Sequence, residues 1–519
     1  MRRGLILTTA LIAGALALSA ALAQGNALVV DTTQDPVSID PHVATSVDFY
    51  LLGNAYEPLV TVAPDGVTVE SVLAESWEVS DDGLVFEFTL REGVTFADGT
   101  PLDADAVAAS IQRLKDLQRG SAWVVEPVDA VEVLSPTQLR ITLAKPFPFL
   151  QALPLVYIVS PTAVSEHEVE GDDATAWLSE HTAGTGPYQL ARWDKGQRLV
   201  FTRNEDYWGG WEGDHFDEVT VLSQLDPGTA RLLLESGDLD ATLNFSVDDL
   251  PAFEANPDLT VIEAPTLQQL YLRLNNKYGP TADPRVREAI ALAWNPADWQ
   301  AAVQNTLPAD GPTPVELLGA GYTPSVGVEQ DLERARELLA EAGYADGFTF
   351  NYLWDNPYEY KRVFGELLQA HLGQIGITVN MIAVSPATFF ERVQSVDSDG
   401  DSPDAIHGFL LRAVPRIPDA YSFLYFLYYS DAQEGFGRNY LLYSNPEVDA
   451  LIDEAIQTPD TAHKLELYRQ ANELIIADHP DLFVEKSIFT MPIRKDIQGF
   501  VFRPAEQWFP FRFYELHRE

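Results

Sequence analysis

The chain has 519 residues, no cysteine, and 78 Asp and Glu against 33 Lys and Arg, for a net charge of −45. So acidic a protein is repelled by nucleic-acid phosphate and by anionic lipid, which removes both as partners. With no disulfide available, stability must come from a large apolar core, and a chain this long is expected to divide into two or more domains.

Arg2 and Arg3 precede an apolar run over 5–18 that leads into Ala21-Leu22-Ala23. That is the pattern of a secretory signal peptide, 1–23, cleaved after Ala23. The run is short for a spanning helix, and no cysteine follows to carry a lipid, so the expected mature protein is free in the periplasm. Ala27-Leu28-Val29-Val30 then predicts a buried opening strand. Asp81-Asp82-Gly83 is hairpin chemistry ahead of an alternating strand over 84–90. Asp103 predicts the N-cap of a helix with Val107, Ile111 and Leu114 on one face. Further strands are expected over 139–143 and 198–202.

The second half is more helical. Asp331 predicts a cap for a helix carrying Leu332, Ala335, Leu338 and Leu339, which Gly343 ends. Asn445-Pro446 repeats the device for Leu451, Ile452, Ala455 and Ile456, and another helix is expected over 460–478. Strands over 348–353 and 377–383 alternate with a helix around Leu367 to Leu372, the signature of a βαβ-type α/β domain. The segment 420–429 is about half a membrane span and reads as a buried helix or strand. The stretch 308–327 is the one long loop.

Catalytic signatures are missing: there is no G-x-S-x-G elbow, P-loop, H-E-x-x-H or cysteine nucleophile. Gly184-Thr185-Gly186 starts like a dinucleotide fingerprint but runs into Pro187-Tyr188 and reads as a turn. The nine histidines are scattered, so no metal site and no cofactor is expected. Asp397, Asp399 and Asp401 fit the first positions of a calcium loop, but Ser402 and Gly408 stand where a glycine and a bidentate glutamate belong. The favoured reading is an exposed acidic loop. An exported hydrolase with a dispersed site and an adhesion protein are the competing classes, the first lacking signatures and the second lacking repeats and anchors.

Several segments together resemble the family 5 extracellular solute-binding proteins, the peptide- and nickel-binding receptors of ABC importers. They include Leu73-Ala74-Glu75-Ser76-Trp77, Phe86-Glu87-Phe88-Thr89-Leu90-Arg91-Glu92-Gly93-Val94-Thr95-Phe96-Ala97-Asp98-Gly99, Gly184-Thr185-Gly186-Pro187-Tyr188, Arg203-Asn204-Glu205-Asp206-Tyr207-Trp208 and Tyr443-Ser444-Asn445-Pro446. The resemblance implies an α/β fold of the periplasmic binding protein type II-like kind, with two lobes joined by a two-crossing hinge plus an extra third domain. Lobe I would comprise 26–56, 184–266 and 492–519; the extra domain, 57–183, would be inserted in it; lobe II would span 267–491, with the crossings near Thr266 and Pro492.

It also implies a monomeric, non-enzymatic receptor that captures a peptide-like solute, an oligosaccharide or an acidic molecule and delivers it to an ABC permease. An interlobe cleft needs apolar walls and a few oriented polar groups, which makes Trp123, Tyr271, Trp354 and Phe409 candidates. Peptide-binding relatives carry a tryptophan and then an amine-clamping aspartate just upstream of the match to Ser422-Phe423-Leu424. Counted without gaps, those positions fall on Ala413 and Arg416. A gap would bring Asp419 into place instead, and Arg412 lies in the same stretch.

Overall fold

Ala27–Thr32 is buried along almost its whole length and pairs parallel with Glu218–Ser223. Arg198–Arg203 and Tyr188–Asp194 continue antiparallel and complete a four-stranded sheet. The computed structural model describes residues 26–519 except 304, 327–328, 357, 397–401, 403 and 433–438. The expected leader and the three aspartates of the acidic loop therefore lie outside the described residues.

A second, antiparallel sheet runs in the order Ala74–Val79, Val85–Leu90, Gln138–Leu143, Val128–Ser135. The helix Ala104–Leu117 packs on it, and Val107, Ile111 and Leu114 are buried as their spacing predicts. Its cap is Asp103, which accepts the Ala106 N–H at 2.9 Å.

The third sheet has six strands in the order Thr306–Leu307, Asp481–Arg494, Leu259–Leu274, Gly408–Ala413, Thr349–Asp355, Thr378–Val384. Thr349–Asp355, the helix Glu359–Gly373 and the parallel strand Thr378–Val384 form the expected βαβ unit. Asp331, Asn445 and Asp460 cap the helices Leu332–Glu341, Pro446–Gln457 and Thr461–Asp478 through side-chain acceptors. The apolar segment at 420–429 is a helix, Tyr421–Tyr428, buried on most of its surface. Within 308–327 the one regular element among the described residues is the short 3₁₀ turn Val315–Leu318.

Two strands tie the first and third sheets together. Leu259–Leu274 and Asp481–Arg494 run antiparallel over a long ladder, and Ala241 bridges both Val30 of the first sheet and Ile493. The ladder is interrupted between Pro265 and Gln269, opposite Ile488 and Lys486. Thr266 lies within that break, and Pro492 pairs with Val261 deeper in the ladder. A break in register is where a twisted ribbon bends most easily.

The apolar interior follows a different partition from the chain. The first sheet has its own cluster, which includes Leu28, Tyr56, Phe201 and Phe511. The antiparallel sheet shares one continuous cluster with Leu317, Tyr421, Phe423, Ile452 and Tyr468. The segment that carries the antiparallel sheet is thus packed against the helices of 421–478.

Candidate functional site

The segment Pro415-Arg416-Ile417-Pro418 leaves the Gly408–Ala413 strand and is held rigidly by one hydroxyl. Ser422 Oγ accepts the N–H groups of Arg416 at 3.1 Å and Ile417 at 3.0 Å and donates to the Ile417 carbonyl at 2.9 Å. These four residues line one wall of a cleft of about 1140 Å³, partly continuous with solvent. Arg416 is the charged member of that wall. Its guanidinium lies over the rings of Phe426 at 5.3 Å and Trp123 at 5.8 Å, a cation–π arrangement.

Asp419 faces elsewhere. One of its oxygens accepts the Tyr421 N–H at 2.9 Å, and the other pairs with Lys464 Nζ at 2.8 Å. It lines a separate chamber rather than the cleft.

The opposite wall comes from three distant stretches of chain: 49–62, 151–157 and 505–515. Asn54 fastens the first to the last, donating to the Phe511 carbonyl at 2.9 Å and accepting the Phe513 N–H at 2.8 Å. Tyr50, Tyr56, Tyr157, Phe509 and Phe511 make this wall aromatic, and Tyr207 from outside these stretches also lines the cleft. Among the described residues the hydroxyls of Tyr50 and Tyr157 have no hydrogen-bond partner. Burial, and then the charge of Glu506, pushes both phenols well above their usual range, so they stay neutral and able to donate. Gly53 makes room for Tyr157, because a Cβ there would fall 2.8 Å from the hydroxyl.

The charges of this wall compensate one another. Arg512 donates Nε to Glu506 at 2.9 Å, and Arg503 forks onto Glu515 at 2.8 and 2.9 Å. Burial works against the Arg512 charge, but Glu506 and Glu515 outweigh it and raise its pKa. Glu57 is buried, and that burial pushes its carboxyl up, opposed by hydrogen bonds from Trp208 at 2.8 Å, Thr185 at 2.7 Å and Tyr207 at 2.9 Å. Thr185 sits in the turn read from Gly184-Thr185-Gly186. There a Cβ on Gly186 would lie 2.6 Å from the Ala55 carbonyl carbon, so the close backbone approach requires glycine.

The other sequence candidates lie outside the lining of this cleft. Tyr271 and Phe409 are core residues: Tyr271 donates to the Pro312 carbonyl at 2.8 Å, and Phe409 packs edge-on against Phe389. Trp354 packs beside the third sheet's interior, with its indole N–H buried. Arg412 pairs with Glu485 at 2.9 Å and lies over Tyr360. Trp123 is half-buried and reaches the site through Arg416. The sequence reading missed the whole 505–515 wall, although the aromatic density of Trp508-Phe509-Pro510-Phe511-Arg512-Phe513-Tyr514 was a usable signal. Among the described residues no group of acidic or histidine side chains is arranged to hold a metal, and no helix is long and apolar enough to cross a membrane.

The family model described as bacterial extracellular solute-binding proteins, family 5 middle, matches residues 68–435. The probable D,D-dipeptide-binding periplasmic protein DdpA of Escherichia coli K12 is 31% identical over 490 residues, covering 92% of each chain. The glutathione-binding protein GsiB of Shigella flexneri is 29% identical over 507 residues, 95% of each. Among solved structures, HbpA2 from Haemophilus parasuis superposes with a TM-score of 0.83 at 26% identity, covering 95% of this chain and 100% of that one. The Helicobacter pylori ABC transporter-associated periplasmic binding protein DppA, in complex with the peptide STSA, superposes with a TM-score of 0.74 at 24% identity, covering 95% and 98%. The chain belongs to the family 5 bacterial extracellular solute-binding proteins, and it is a solute-binding receptor of an ABC importer rather than an enzyme.

Proposed function

We propose that the receptor takes a peptide-like solute into the cleft between Pro415–Pro418 and the 505–515 wall, with a carboxylate or hydroxyl, rather than a free ammonium, against Arg416. The observation that carries this reading is the placement of Arg416 in the cleft lining, while Asp419 lines the neighbouring chamber and pairs with Lys464 at 2.8 Å. An ammonium brought there would meet a like charge in a partly desolvated site, where repulsion exceeds its value in water. A carboxylate would accept the planar, multi-donor hydrogen bonds of the guanidinium. The names of the relatives, dipeptide- and glutathione-binding, favour a peptide-like solute over an oligosaccharide.

Calorimetry against free and N-acetylated peptides, acidic metabolites and oligosaccharides tests this. Acidic or N-blocked ligands should bind, and Arg416→Ala should weaken them by about 1.5–3 kcal/mol, the worth of a charge-assisted bond. Tight binding of unmodified peptides, undiminished in Arg416→Ala, would overturn the reading.

The same proposal places the mature chain in the periplasm as a monomer, beginning at Gln24 and carrying no lipid. Intact mass from the native host checks the first residue, and retention of the apolar leader would contradict it.

A further inference from the structure

A second chamber, partly open to solvent and of about 1400 Å³ with that open space included, lies between the antiparallel sheet and the helices of 446–478. It and the cleft share two lining residues, Gln151 and Pro418, so the two spaces are neighbours on either side of that pair. Its walls are largely apolar, built by Phe86, Phe147, Phe149, Leu150, Leu317 and Ile456. Phe147 closes one side by meeting Tyr421 edge-on at a ring separation of 6.1 Å. The charged groups on the chamber are already bound to partners: Asp419 to Lys464, and Glu316 to Lys486. A charged arm entering here finds its counter-charges engaged, whereas a hydrocarbon arm finds apolar wall on several sides. At the junction, the Gln151 carboxamide makes no hydrogen bond among the described residues and carries both a donor and an acceptor, as an amide passing it would require.

We propose that the solute is elongated: an acidic, peptide-like head held at Arg416, and a long apolar arm that passes Gln151 and Pro418 into this second chamber. The proposal rests on the siting of the acidic end in the cleft, and it adds the selection of ligands by the length of an apolar substituent. The chemical class is an N-acylated peptide, or a peptide bearing an extended apolar side chain.

Calorimetry on the mature protein with N-acetyl-, N-hexanoyl- and N-decanoyl-Ala-Glu, kept below micelle-forming concentrations, is the experiment. Affinity should climb about threefold to fourfold for each methylene buried, until the chamber is filled. Leu150→Trp and, separately, Thr458→Trp put an indole into the chamber at residues that do not line the cleft. Each should flatten the length dependence and leave N-acetyl-Ala-Glu binding as in the wild type. Binding of all three probes with equal affinity, or a length dependence unchanged in both tryptophan variants, would overturn this proposal while sparing the acidic-end reading. Absence of binding by every probe would instead overturn the acidic-end reading and the present proposal with it.

Discussion

Asp419 and Lys464 form a 2.8 Å ion pair at the edge of the second chamber, with only 8% and 16% of their side chains exposed. Each charge of the pair is the counter-charge of the other. Asp419→Ala should therefore cost about 3 kcal/mol of stability, because it strands a mostly buried ammonium, and should leave affinity for acidic ligands unchanged. Denaturant unfolding and calorimetry on the same variant read the two effects. A large loss of affinity with stability intact would reassign Asp419 to the site.

Glu57 is the single acceptor shared by Thr185, Tyr207 and Trp208, at 2.7 to 2.9 Å. Its removal in Glu57→Ala leaves three donors to find water or nothing. The expected loss is about 3 kcal/mol of stability, together with weaker ligand binding because Tyr207 and Glu57 both line the cleft. Unfolding at several denaturant concentrations checks it, and a loss below about 1 kcal/mol would show that water replaces the carboxylate.

His407 sets an acid limit. Burial lowers its pKa from 6.5 to about 4, and its Nδ1 accepts the Asn351 N–H at 2.8 Å, a bond that protonation there would break. The folded value lies below the unfolded one, so this histidine contributes stability that is present above pH 6.5 and is lost as pH falls toward 4. Between pH 7 and 4.5 the wild type should lose about 2.5 kcal/mol more than His407→Gln, whose side chain does not titrate. His42, lowered to about 4 chiefly by its burial, acts in the same direction. Asp31 and Asp481, whose pKa values burial raises, act in the opposite one. Both contributions are common to the two proteins and cancel in the comparison. Parallel pH profiles for wild type and variant would refute the assignment.

Ligand binding should draw the two cleft walls together about the ladder break at Pro265–Gln269, since only a few backbone positions need to absorb a closure. Small-angle scattering should show a smaller radius of gyration at saturation. Stability should rise by about 2.7 kcal/mol at a ligand concentration a hundredfold above Kd, because ligand binds only the native state. An unchanged radius at saturation would mean that the cleft is filled without closure.

Much of the fold was legible because its signals are local. Asp103, Asp331, Asn445 and Asp460 announce their helices through side chains that reach N–H groups two or three residues ahead. Strands such as Val85–Leu90 alternate because one face is wet. The long crossing strand Leu259–Leu274 was not read as one element. Its first half is mostly part-exposed and its second half buried apart from Gln268, so no single period runs along it.

The sequence by itself determined the family and the helix caps, since each of these depends on residue type at short spacing. The tertiary structure alone decided which candidates face the cleft. Tyr271, Trp354 and Phe409 have the composition of binding residues and the environment of a core, because an aromatic ring satisfies either equally well. The wall at 505–515 meets Tyr50 and Asn54 from the other end of the chain, held by the Asn54 bridge to Phe511 and Phe513. Arg416 and Asp419 are close neighbours in sequence and face different cavities, because Ser422 fixes the turn between them and Lys464, brought from a distant helix, takes the carboxylate.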